Sequence, residues 1–221
     1  MKTRIIASIV LLPIFLAITV VFPPIILAIT IALICILIAI ELFRAGKEAK
    51  GKKMRIFVSF AAIIPIPLAL STLYWFRIMP YGHLLVLIPI IVTMLTDSGA
   101  YFVGVSIGKH KAFPNISPNK TIEGCVGGLI IGTLGLVIYG IILTNFTTLY
   151  ISYPLLAIIG LIGAIITEVG DLAFSQIKRK LGIKDYGNLI PGHGGMLDRF
   201  DSMIFSAPAM FLLLTALPVI E

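Results

Sequence analysis

Seven stretches of the chain, approximately 5–21, 24–43, 56–73, 84–105, 124–144, 154–174 and 201–220, are apolar almost throughout. Each is close to the roughly 20 residues that an α-helix needs to cross about 30 Å of hydrocarbon. In hydrocarbon no water completes the backbone's hydrogen bonds, so segments of this kind are confined to helices. Composition agrees: 59% hydrophobic residues, 12% charged ones and a mean hydropathy of +1.10 exclude both a soluble globular domain and a disordered chain. Cys35 and Cys125 each lie inside an apolar run, where they read as packing residues and not as a disulfide framework. The expectation is an all-α, polytopic integral membrane helical bundle. About seven transmembrane helices are expected (seven to nine), because Pro23, Pro24, Pro65, Pro67, Pro89 and Pro208 are positions at which a span can break or re-enter. Residues 1–221 are expected to form one integral membrane domain, with N-terminal spans over 1–90 and the remaining spans and their charged loops over 91–221.

The 17 basic residues outnumber the 10 acidic ones, and where they fall decides what the excess means. The start, Met1-Lys2-Thr3-Arg4, precedes an apolar run with no small-x-small cleavage site, so it is read as a retained first span with its N-terminus inside. Alternation then brings Arg44–Arg55, Gly108–Lys120 and Asp171–Arg199 to the cytoplasmic side and leaves Arg77 as the one basic residue outside, a strong positive-inside bias. The balance points to membrane lipid and anionic substrates, not nucleic acid. The basic loop Glu41–Arg55 is read as a topology determinant that meets anionic headgroups. All acidic residues except Glu221 fall in or beside these loops, so the chemistry is expected at the cytoplasmic face.

Polar residues inside the apolar pattern mark candidate sites. Asp97 belongs near an interface or facing a bundle interior, since an unpaired carboxylate in hydrocarbon costs at least ~2.5 kcal/mol. Ser117 or Asn119 is placed to cap the following helix, with Lys120 offering a cation just before it. Asp171, Ser175 and Lys178, at i, i+4 and i+7, share one helix face, with Arg179 adjacent. The stretch from Lys184 and Asp185 to Pro191-Gly192-His193-Gly194-Gly195 is rich in glycine, as a backbone that approaches an anion closely must be. His193, a lone histidine between glycines, is read as a phosphate donor, with a general acid or a loop-shaping residue as the alternatives. Asp198 and Asp201, at i and i+3, share a face. If they meet the 171–179 column, the result is a carboxylate cluster ringed by Lys178, Arg179, Lys184, His193 and Arg199. Hard oxygen ligands of this kind suit Mg²⁺ and a polyphosphate; the alternative is a salt-bridged collar at the interface. No Walker-type phosphate loop and no second histidine for a zinc site is present.

Ser175-x-x-Lys178-Arg179, then Lys184-Asp185, then Pro191-Gly192-His193-Gly194-Gly195-x-x-Asp198-Arg199-x-Asp201 resembles the diagnostic pattern of the phosphatidate cytidylyltransferases, or CDP-diacylglycerol synthases. Asp97-Ser-Gly-Ala-Tyr101-Phe-Val-Gly104 and Ser117-Pro-Asn-Lys120-Thr-Ile-Glu123-Gly124 are also similar to that family, so the resemblance covers about 97–205. It implies a Mg²⁺-dependent nucleotidyltransferase that moves a cytidylyl group from CTP to phosphatidate, giving CDP-diacylglycerol and pyrophosphate. It further implies a homodimer in the plasma membrane and a monovalent cation beside the Mg²⁺. Carried over by position, Asp171 and Asp198 are the best candidates for metal ligands; the chemistry of the residues adds the expectation that Asp201 supports them, that Lys178, Arg179, Lys184 and Arg199 neutralise phosphates, and that Ser117 and Lys120 contact a substrate. Competing readings are a CTP-dependent relative making CDP-archaeol, a lipid-alcohol kinase, and an anion transporter.

Overall fold

The computed structural model describes residues 12–48, 51–189, 194–217 and 219. Helix α1 (12–20) is followed by α2 (Pro24–Glu48), α3 (Lys52–Ile63), α4 (Pro65–Ile78), α5 (Gly82–Leu85) and α6 (Leu87–Ile107). A two-stranded hairpin, β1 (Lys111–Phe113) and β2 (Ser117–Thr121), leads to α7 (Ile122–Phe146), α8 (Tyr153–Leu181) and α9 (Leu197–Ala216). Among the described residues six segments are long and apolar enough to cross a membrane: Pro24–Glu48, Lys52–Ile78, Gly82–Ile107, Ile122–Phe146, Tyr153–Leu181 and Leu197–Ala216. They coincide with six of the seven predicted stretches. The protein is a polytopic helical membrane protein; of the remaining stretch, 5–21, residues 5–11 and with them the reading of the N-terminus lie outside the described residues. Prolines punctuate the helices as their missing N–H and fixed φ require: Pro65 opens α4 and separates it from α3, while Pro208 lies inside α9.

The chain divides into two compact units. The first comprises Met1–Leu87 and Phe174–Ile204, the second Ile88–Ala173 and Phe205–Glu221, so α8 and α9 each run from one unit into the other.

In the first unit α2 buries a single stripe, Leu27, Ile31, Ile34, Ile38 and Leu42, at the spacing of one helix face. The α2 helix packs on α3 and α4, whose buried residues include Val58, Ala62, Leu70, Leu73 and Phe76. Its opposite face exposes Ile25, Ile29, Leu33, Ile36 and Ile40. In water such an apolar surface would be a liability; acyl chains solvate it. Arg77, at the end of α4, donates to the carbonyls of Val20 and Phe22 at 3.3 and 3.1 Å, meeting the acceptors left at the end of α1.

The second unit is held by backbone proximity. Lipid supplies no hydrophobic drive for helix association, so small residues that let backbones approach carry the packing. On α7 these are Gly124, Gly127, Gly128, Gly132 and Gly140, all buried. A Cβ on Gly128 would lie 2.8 Å from the Thr96 carbonyl oxygen of α6, and one on Gly140 would overlap Leu156 of α8. Helix α9 joins through a buried hydroxyl pair, Thr93 to Ser206 at 2.7 Å.

The hairpin was not expected, and it moves the cap of α7. Residues Ser117–Thr121 are extended and pair with β1, in register Lys111↔Thr121 and Phe113↔Ser117. The last extended residue, Thr121, is therefore the N-cap: its Oγ1 accepts the Gly124 N–H at 3.1 Å, in place of Ser117 or Asn119.

Candidate active site

In the first unit the centre of the charged residues is Asp198, in the first turn of α9. Its Oδ1 meets Lys178 Nζ of α8 at 3.0 Å, and its Oδ2 accepts the backbone N–H groups of Tyr186 and Gly195, each at 2.9 Å. Lys178 Nζ also lies 3.6 Å from Asp201 Oδ2 and stands over the Tyr186 ring, 5.5 Å from its centroid. Tyr186 in turn donates its hydroxyl to the Phe174 carbonyl at 3.1 Å and packs edge-on against the Phe174 ring. Burial, with the nearby Asp201 and Asp198 charges, pushes the Tyr186 phenol well above its ordinary value, so it serves as a neutral donor. The turn before α9 needs glycine at one position in particular: Gly194 has φ +82°, and a Cβ there would lie 2.9 Å from Asp198 Oδ2.

In the second unit Lys120, at the end of β2, reaches α8. Its Nζ lies 2.9 Å from Asp171 Oδ2 and 3.2 Å from Glu168 Oε2. Burial by itself would lower the Lys120 pKa, but Asp171 and then Glu168 outweigh it and hold the ammonium well above the ordinary lysine value. Glu168 Oε1 is buried without a hydrogen-bond partner, apart from the weak thiol donor of Cys125 beside it. Near the same end of α7, His110 donates its backbone N–H to Glu123 and sets Nδ1 2.6 Å from Glu123 Oε1.

Of the residues singled out from sequence, the structure brings together Lys178, Asp198 and Asp201 in one unit and Lys120 and Asp171 in the other. Ser175 and Ser117 are half-buried, on α8 and β2; Arg179, Lys184, Asp185, Arg199 and Asp97 are exposed, Asp97 on α6. Gly194 and Gly195 form the turn before α9, but the Gly195 N–H is taken by Asp198 and the next two amides by Glu41. These three amides are held by carboxylates, which departs from the expected use of the loop backbone as an anion cradle. His193 lies outside the described residues. Sequence reading missed Glu168, Tyr186 and Glu41 as parts of these clusters. Only Glu168 carried a local signal, its i, i+3 spacing to Asp171.

The profile of the cytidylyltransferase family matches residues 48–217, most of the chain and all of the residues just described except Glu41. The chain belongs to the cytidylyltransferase family. Among its relatives it is 45% identical to the phosphatidate cytidylyltransferase of Bacillus subtilis (strain 168) over 134 residues, 61% of this chain and 48% of that protein. It is 44% identical over 142 residues to the phosphatidate cytidylyltransferase of Staphylococcus saprophyticus, covering 64% of this chain and 53% of that one. The chain thus spans about half the length of the curated relatives it matches.

The oxygen donors of both clusters are of the kind that would suit a hard divalent cation. Both clusters offer carboxylate oxygens, and Glu168 Oε1 is a buried oxygen short of a partner. Among the described residues no three His, Cys, Asp or Glu side chains gather into a ready-made cage. Mg²⁺ needs none, since it keeps waters and shares one or two carboxylates with substrate phosphates.

Proposed function

We propose that this protein transfers the cytidylyl group of CTP to phosphatidate, yielding CDP-diacylglycerol and pyrophosphate. The observation that carries this reading is the Lys178–Asp198–Asp201 cluster, built from the same residues as the family-like pattern and backed by relatives that bear this activity in their names. A phosphatidate oxygen attacks the α-phosphorus of CTP; the bond from that phosphorus to the bridging oxygen breaks, and pyrophosphate leaves. The attacking oxygen is already anionic near neutral pH, so positioning and charge neutralisation do more than a strong base.

Lys178, Arg179, Lys184 and Arg199 neutralise nucleotide and lipid phosphates, Ser175, Asp185 and His193 complete the nucleotide contacts, and Ser117 and Lys120 bind the second substrate. Asp198 with Asp201 in the first unit, and Asp171 in the second, are each proposed as carboxylates that would hold Mg²⁺, which supplies positive charge at the phosphate oxygens when bound; a monovalent cation is proposed as a second ion. The protein works as a homodimer in the plasma membrane with its charged loops in the cytoplasm.

The test is detergent-purified protein given labelled CTP, Mg²⁺ and phosphatidate, with an ether-linked lipid phosphate and a lipid alcohol as parallel acceptors. Labelled CDP-diacylglycerol and stoichiometric pyrophosphate are expected. A folded protein that labels only another acceptor, or that makes no product while moving an anion into liposomes, overturns the reading.

A further inference from the structure

Glu41 is a buried carboxylate in the second half of α2, and nothing in its own neighbourhood of the sequence explains it. Its two oxygens accept the backbone N–H groups of Met196 and Leu197 at 2.8 and 2.9 Å, across about 155 residues of chain. Those amides are the ones that the start of α9 leaves without an internal partner, and the positive end of the helix dipole lies there. The fit is close on two sides: a Cβ on Gly195 would lie 2.6 Å from Glu41 Oε2, and one on Gly187 would lie 2.7 Å from Oε1. With Asp198 Oδ2 on the Gly195 N–H, three consecutive amides, 195 to 197, are fixed by two carboxylates, one local and one from α2.

We propose that Glu41 is a positioning residue for the reaction: by pinning the Met196 and Leu197 amides it holds the turn that carries Asp198 in the orientation in which Asp198 faces Lys178. The inference rests on the cytidylyltransferase reading for its kinetic consequence, but not for the contact itself. It also assigns phosphate recognition to side chains, because Glu41 occupies the seat that a helix N-terminus otherwise offers to an anion.

The test uses the full chain in detergent, with Glu41→Gln as the isosteric variant that sets an amide donor against a backbone donor, Glu41→Ala as the full deletion, and Glu48→Gln on the exposed end of α2 as control. Amide exchange over residues 194–199 is expected to accelerate about tenfold or more in both Glu41 variants. The kcat is expected to fall about 10- to 100-fold, as when a group that orients a site carboxylate is lost, with KM for CTP changed by less than about threefold. The control should match wild type. Unchanged exchange, or unchanged kcat in a folded Glu41→Gln protein, overturns the proposal, as does a kcat loss without faster exchange. Should both Glu41 variants fail to fold, Gly187→Ala, which displaces the carboxylate without removing it, is read by the same two measurements. A wild-type protein that makes no CDP-diacylglycerol sinks the reaction assignment, while the exchange measurement still decides the contact.

Discussion

Lys178 and Lys120 each bridge two carboxylates on or beside α8 and α9, and in both cases the lysine is mostly buried. Removing one partner of such a group leaves uncompensated charge, which typically costs about 3–5 kcal/mol. Lys178→Met is therefore expected to lower the thermal midpoint in detergent by roughly 6–20 °C and to abolish turnover. Asp198→Asn presents an amide donor to either Lys178 or the Tyr186 and Gly195 N–H groups, so a loss of kcat of about 100-fold or more is expected from a protein that still elutes as wild type. Wild-type turnover in either variant would remove that residue from the site. Lys120 adds a pH signature. Its folded pKa is raised, so its stabilisation is fully present below the ordinary lysine value of 10.5 and is lost only as pH rises through the higher folded value. The gap in thermal midpoint between wild type and Lys120→Met should stay constant from about pH 7 to about pH 9 and narrow only in stronger alkali. A gap that closes below about pH 9 would mean the ammonium is not held by Glu168 and Asp171.

At the scale of elements, α7 shows which of its faces carries information. Gly128→Leu forces a side chain where even a Cβ sits 2.8 Å from the Thr96 backbone oxygen, and overpacking of that kind costs about 1–3 kcal/mol and sometimes more. Aggregation on extraction is expected, whereas Ile138→Ala, on the exposed side of the same helix, should leave elution and midpoint unchanged. Equal behaviour of the two would refute packing of α7 through its glycines. The helices themselves were legible in the sequence because hydrocarbon imposes a length that few other structures require. That Asp198 and Asp201 share a face was legible because a helix converts spacing into a face; that Lys178, on another helix, meets them was not fixed by spacing. Strands of three and five residues carry no comparable period, so the hairpin and the Thr121 cap were not. Tyr186 and Glu41 escaped for another reason: each is defined by backbone groups it meets only after folding, and a partner that is an N–H or a carbonyl leaves no trace in residue identity.

For the whole molecule, charge along the chain makes one demand on how the spans thread the bilayer. Basic residues crowd the joins after α2, after α6 and after α8, at 44–55, 109–120 and 178–199, whereas the joins after α4 and α7 hold Arg77 and nothing else basic. Each crowded join follows one span and precedes the next, so alternating crossings would bring all three to one side, and the positive-inside bias is the ground for proposing that this side is the cytoplasm. Glu168, Asp171, Lys178, Asp198 and Asp201 lie in or beside those joins, so on the proposed reading the compartment facing them is the one that would supply the nucleotide. Single cysteines at Lys53 and Lys184, in a background with Cys35 and Cys125 replaced by alanine, are expected to react with an impermeant maleimide only in inside-out vesicles. A cysteine at the exposed Tyr150, between α7 and α8, should react only in right-side-out cells. Labelling of Lys53→Cys and Tyr150→Cys from the same side would break the alternation, and with it the inference that a nucleotide arriving from the cytoplasm meets these carboxylates.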